Sequence, residues 1–125
     1  MKKFVNTEKA PKPIGPYNQA VMANNTLYVS GQIPLNPANG ELLKGDVKEQ
    51  TRQVMENLKA ILHEAGMDFS NVVKCSIFIS DMKDFPFINE VYGGYFAEDP
   101  PARETVQVAG LPLGVDVEIS CIAVI

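Results

Sequence analysis

Apolar and polar residues alternate along Asn18 to Ala23 and again along Thr26 to Gly31, on either side of Asn24-Asn25, a pair that tolerates the positive φ of a tight turn. The pattern predicts a β-hairpin. In its second arm Leu27, Val29 and Gly31 share one parity and Tyr28 and Ser30 the other, which sends Ser30 to the polar side. Upstream, Ala10-Pro11-Lys12-Pro13-Ile14-Gly15-Pro16 lacks three backbone donors and cannot be helical. It is expected to run as a stiff extended loop that delivers Tyr17 to the hairpin. Pro34 to Gly45, with Asn39-Gly40 at its tip, is a second turn region.

The period then changes. Val47, Thr51, Val54, Met55, Leu58, Ile61, Leu62 and Ala65 recur at three- and four-residue spacing and predict a helix over Asp46 to Ala65. Asp46 is placed as its N-cap, Glu49 completes the pattern of a capping box, and Gly66 stands where a left-handed residue ends a helix. Val72 to Ser80 reads as a strand with Val73, Cys75, Ile77 and Ile79 on one face. A second helix is expected from Asp84 to Ala97, striped by Phe85, Ile88, Val91, Tyr92, Tyr95 and Phe96, with Pro86 tolerated in its first turn and Gly93-Gly94 weakening its last. Two further strands, Thr105 to Ala109 and Val117 to Ile125, close the chain. The order is strand, strand, an optional short third strand, helix, strand, helix, strand, strand, which is an α+β chain with a mixed sheet.

Two helices, each roughly 10 Å across, cover only about four strands on one face of such a sheet. The last strand is apolar on both parities, so the uncovered face is expected to pack on another subunit. A homo-oligomer follows, and a monomeric mass in sedimentation at micromolar concentration would count heavily against it.

A length of 125 residues gives a single domain, 1–125, and 46% hydrophobic against 21% charged residues is an ordinary globular balance. The longest apolar runs fall far short of the roughly 20 residues needed to cross a bilayer, and Met1-Lys2-Lys3 leads into polar residues, so the expectation is a soluble, cytoplasmic protein without membrane partners. A net charge of −4 with scattered lysines disfavours nucleic-acid binding. Cys75 and Cys121 each sit inside an apolar alternating run, as buried reduced thiols would. The one histidine, His63, falls in the last turn of the first helix, where proximity to the C-terminal dipole explains it, and no histidine-rich metal cluster is possible. No phosphate loop, dinucleotide fingerprint or cysteine pair at ligand spacing occurs, so neither cofactor nor metal is implied.

Two residues stand out chemically. Arg103, one of two arginines, follows Pro100-Pro101 at the head of a strand and shares a parity with Thr105 and Gln107. Its planar fork of donors suits a carboxylate, though the same pattern fits a surface arginine paired with Glu104 or Glu98. Glu118 interrupts the last strand between Val117 and Ile119. It is either an edge-strand acid in solvent or a carboxylate in an apolar cleft, able to hold a water or take its proton. With hydroxyls from Tyr17 and Ser30, a cationic fork and a carboxylate would bind a small carboxylic acid and hydrate it.

Ile14-Gly15-Pro16-Tyr17, Tyr28-Val29-Ser30-Gly31-Gln32-Ile33-Pro34, Ile88-Asn89-Glu90-Val91-Tyr92, Pro101 to Ala109, Leu111-Pro112 and Val117-Glu118-Ile119 resemble, in order and in register over nearly the whole chain, the Rid (YjgF) family of enamine/imine deaminases. The resemblance implies a chorismate-mutase-like α+β fold of about six strands with two helices on one face, and a homotrimer with clefts between subunits. It also implies hydrolysis of 2-aminoacrylate and 2-iminopropanoate to pyruvate and ammonia. Carried over by position, Arg103 would bind the substrate carboxylate and Glu118 would place the attacking water. Tyr17, Ser30 and Gly31 would line the cleft and Asn89 would support it. Thr105 stands where the family often has Cys, a change expected to tune the pocket without abolishing hydrolysis. The rival functions are a ribonuclease or translation inhibitor, against which the acidic charge argues, and a non-catalytic trimer that binds 2-keto acids.

Overall fold

The computed structural model describes residues 2–125. Six strands, β1 (Lys2–Val5), β2 (Ala20–Ala23), β3 (Thr26–Gln32), β4 (Val72–Ile79), β5 (Ala102–Gln107) and β6 (Val117–Val124), form one sheet in the order β1-β2-β3-β6-β4-β5. Only β4 and β5 run parallel, so the sheet is mixed. Helices α1 (Val47–Glu64) and α2 (Phe85–Gly93) cover one face. No helix among the described residues is long and apolar enough to cross a membrane.

The core lies between this face and the helices. Val54, Met55, Leu58, Ile61 and Leu62 of α1 and Ile88 and Tyr92 of α2 pack on Leu27, Ile77, Ile79, Val117 and Ile119. Truncating one of these large side chains, as in Leu58→Ala, costs about 2–5 kcal/mol by lost transfer energy and cavity formation. The hairpin turn forms as expected, with Asn24 and Asn25 at φ 48° and 64°. Cys75 and Cys121 are buried free thiols paired directly across β4 and β6.

Several expectations need correction. β1 was not predicted, because Lys2, Lys3 and Phe4 are all exposed and give no buried alternation. The optional third strand is only a single bridge, Leu35 to Leu42. β5 starts three residues early, at Ala102, and α2 ends at Gly93 rather than Ala97, where two successive glycines weaken the helix and the Tyr95 and Phe96 amides bond back only three residues, to Tyr92 and Gly93. Asp46 caps α1 by accepting from the Lys48 amide, but Glu49 pairs with Arg52 and does not close a capping box. A bulge between Val72 and Lys74 turns Val72 inward and leaves Val73 exposed, contrary to simple alternation.

Candidate active site

A second irregularity builds one half of the site. Between Val29 and Gln32 the register of β3 against β6 shifts, so Gln32 is buried opposite Ile119 and Gly31 turns to the outer face. The expectation that Gly31 shares the core face with Leu27 and Val29 therefore fails. A β-carbon at Gly31 would lie 2.3 Å from a Glu118 carboxylate oxygen, so only glycine leaves this acid its place.

Glu118 itself pairs with Phe78 of β4 and faces outward, into a depression of about 380 Å³ lined by Ile14, Tyr17, Ser30, Gly31, Ile33 and Pro112. Among the described residues its carboxylate has no cationic partner. Burial raises its pKa above the ordinary 4.5, because the charged form loses solvation. The Ser30 hydroxyl donates to the Asn18 carbonyl at 2.7 Å, which commits its hydrogen and leaves its oxygen free only to accept. The Ile14 amide donates to the Tyr17 hydroxyl at 3.3 Å.

Two buried amides hold the walls of this depression. The Gln19 side chain donates to the carbonyls of Thr7, Ala10 and Pro11 and accepts from the Thr7 amide, fixing the proline-rich strap that carries Ile14 and Tyr17. Asn57 of α1 donates to the carbonyls of Ile33 and Leu35. Sequence reasoning missed both, together with Ile14, Ile33 and Pro112 as lining residues. No local pattern marks the two amides, since Gln19 follows Asn18, Asn57 follows Glu56, and both bond to backbone carbonyls elsewhere in the chain.

The other half stands on the opposite face of the sheet. Arg103 pairs with Cys75, and Cys75 and Phe78 are three residues apart on β4, so Arg103 and Glu118 project to opposite sides. Arg103 donates from Nη1 to the Asn89 Oδ1 at 2.7 Å. Its guanidinium carbon lies 5.0 Å and 5.5 Å from the ring centres of Tyr92 and Phe85. Neither Glu104 nor Glu98 pairs with it, and Glu104 instead takes Lys74 and Ser76. Asn89, Tyr92, Phe96, Pro100, Pro101 and Arg103 surround a second depression of about 380 Å³, which shares no residue with the first. Thr105 follows on the same face as Arg103, and its buried hydroxyl oxygen has no partner. Gln107 lies outside the group, accepting from the Met82 amide.

Among the described residues, then, a single chain carries a fork of donors with no acid and an acid with no cation, separated by the sheet. His63 is exposed on α1 and belongs to neither half. Among the described residues no group of three or more histidine, cysteine or acidic side chains is placed to hold a metal ion.

The family described as Endoribonuclease L-PSP matches residues 7–125. Over 124 residues the chain is 49% identical to a Mus musculus protein named 2-iminobutanoate/2-iminopropanoate deaminase, covering 99% of this chain and 92% of that one. It resembles the crystal structure of a putative endoribonuclease from Thermotoga maritima with a TM-score of 0.97 at 52% identity, over 100% of this chain and 98% of the other. The crystal structure of E. coli TdcF with bound serine is similar at a TM-score of 0.94 and 44% identity, over 98% of each chain.

Proposed function

This chain belongs to the Endoribonuclease L-PSP family, also known as the YjgF or Rid family, and on that premise we propose that it hydrolyses small 2-imino acids to 2-keto acids and ammonia. The substrates are 2-aminoacrylate, through its tautomer 2-iminopropanoate, and close homologues. Arg103 grips the substrate carboxylate with its free donors, and Glu118 orients a water and takes its proton as the oxygen adds to the imine carbon. Glu118 returns that proton to the former imine nitrogen, and the resulting carbinolamine passes its hydroxyl proton to the same nitrogen as the C–N bond breaks, releasing ammonia, the keto acid and the restored carboxylate. An imine is already electrophilic, so holding it, removing bulk solvent and aiming one water supply most of what the reaction needs. Tyr17, Ser30 and Gly31 form the wall beside Glu118, Asn89 supports Arg103, and Thr105 contacts the substrate from the floor beside the arginine. No cofactor enters this scheme.

The observation that carries the reading is the complementarity of the two half-sites. Each lacks what the other offers, and they project from opposite faces of the sheet, so they meet only when the outer face of one copy packs beside the α2 end of another. That outer face exposes Phe4, Tyr28 and Val106, the last two at 51% and 41%, which suits burial against a second copy. We take the assembly to be a closed homotrimer with three such clefts. The serine bound in the structure of the TdcF relative is an amino acid with a carboxylate of the kind Arg103 would hold.

The test is ammonia release from an imine formed in situ by a dehydratase, measured against the uncatalysed background. The wild-type protein accelerates it and Arg103→Ala does not. Equal turnover by both proteins would falsify the role given to Arg103.

A further inference from the structure

Phe85, Asn89 and Tyr92 stand at i, i+4 and i+7 on α2, one stripe of one helix, and all three meet the Arg103 side chain. We propose that Phe85 and Tyr92 are positioning residues for the reaction: their rings hold the face of the guanidinium while Asn89 holds one edge, leaving the remaining donors aimed at the substrate carboxylate. This inference rests on the reading of Arg103 as the carboxylate anchor.

An arginine that must await an anion cannot be fixed by a protein carboxylate, since that acid would compete with the substrate. Aromatic faces solve the problem, because a ring attracts a guanidinium within about 6 Å of its centre without consuming any N–H donor. Both rings satisfy that distance. The platform is itself braced: Tyr92 is buried and packs on Phe96 at 4.9 Å between centres, and Phe96 packs on Phe69 at 5.3 Å. The buried Tyr92 hydroxyl makes no hydrogen bond to Arg103, so the ring and not the hydroxyl is what Arg103 uses. A lysine at position 103 would have no flat face to lay on these rings, which gives the proposal a specific energetic signature.

The experiment measures kcat and KM for imine hydrolysis by the assembled protein in a double-mutant cycle between Phe85→Leu and Arg103→Lys, with Tyr92→Leu and Tyr92→Phe beside it. Loss of either ring raises KM about two- to five-fold. Tyr92→Phe keeps the ring and returns KM to within about two-fold of wild type. In the Arg103→Lys background Phe85→Leu has less than half its effect. Phe85 is only partly buried, so its variant carries the test if Tyr92→Leu fails to fold. Unchanged KM in folded Phe85→Leu overturns the proposal, as does an equal effect of that change in both backgrounds, or Tyr92→Phe as impaired as Tyr92→Leu. Full activity in Arg103→Ala is a different failure, since it removes the anchor reading itself.

Discussion

The Arg103 half of the site is carried on regular elements and held by contacts, whereas the Glu118 half is made by interruptions and leaves its acid without a partner. On one side a helix stripe sets two aromatic rings and one amide oxygen against a long flexible cation. On the other a bulge, a glycine and a proline-rich strap clear space around a carboxylate. The difference teaches how each group is prepared. A binding cation is best fixed before the ligand arrives, while a water-directing acid must keep room for the water beside it.

Breaking the first half has the largest expected effect. Charge-assisted hydrogen bonds contribute about 1.5–3 kcal/mol each, so loss of a bidentate grip in Arg103→Ala lowers kcat/KM by about two to four orders of magnitude, and Arg103→Lys recovers little of it. Steady-state kinetics with an imine generated in situ decides the matter.

Breaking the second half takes only a methyl group. Gly31→Ala places a β-carbon on the Glu118 carboxylate, and because a displacement of about 1 Å can cost 10²-fold, activity is expected to fall by roughly that factor. The displaced atoms are the end of a flexible side chain, so the melting temperature should change little. A large loss of stability would instead mean that the glycine serves the bulge itself.

Smaller effects follow from protonation. Burial raises the Glu118 pKa in the folded chain, so folding favours its protonated form. The sign is then fixed: the stability this residue allows is greatest below its unfolded pKa and is lost as pH rises through the higher folded value. Glu118→Gln should therefore melt slightly higher than wild type at neutral pH while losing activity. In the wild type, kcat/KM should fall on the acid side of a pKa above 4.5, and the residual activity of the Gln variant should lack that limb. The smallest change, Asp46→Ala, removes the α1 cap far along the chain from Arg103 and Glu118 and costs about 1 kcal/mol of stability with KM unchanged.

What the sequence made legible follows the same division. Where side chains obey one period, as in α1, the hairpin turn or the last strand, both the element and its buried face could be read. Where a bulge intervenes, parity fails, and it puts both Val73 and Gly31 on the wrong face. Arg103 and Glu118 were visible as chemistry out of place among apolar neighbours. Their separation was not, because which side of a sheet a residue faces depends on strand partners distant in the chain, such as Val117 opposite Ile79 or Ala123 opposite Val72, and on bulges in either. Phe85 and Tyr92 read as ordinary core because a ring that packs inward and a ring that faces a cation have the same spacing. Gln19 and Asn57 act through backbone carbonyls in loops, which carry no side-chain signature at all.

The division into two halves from different copies is tested most directly by complementation. Arg103→Ala and Glu118→Gln chains, each severely impaired alone, are co-expressed and the mixed assemblies purified by two different tags. In a closed ring of three, every mixed assembly has one of its three clefts built from an intact arginine of one chain and an intact glutamate of its neighbour, so about a third of wild-type activity should return. Mixed assemblies no more active than either parent would contradict it, and would place both residues in the service of a single chain.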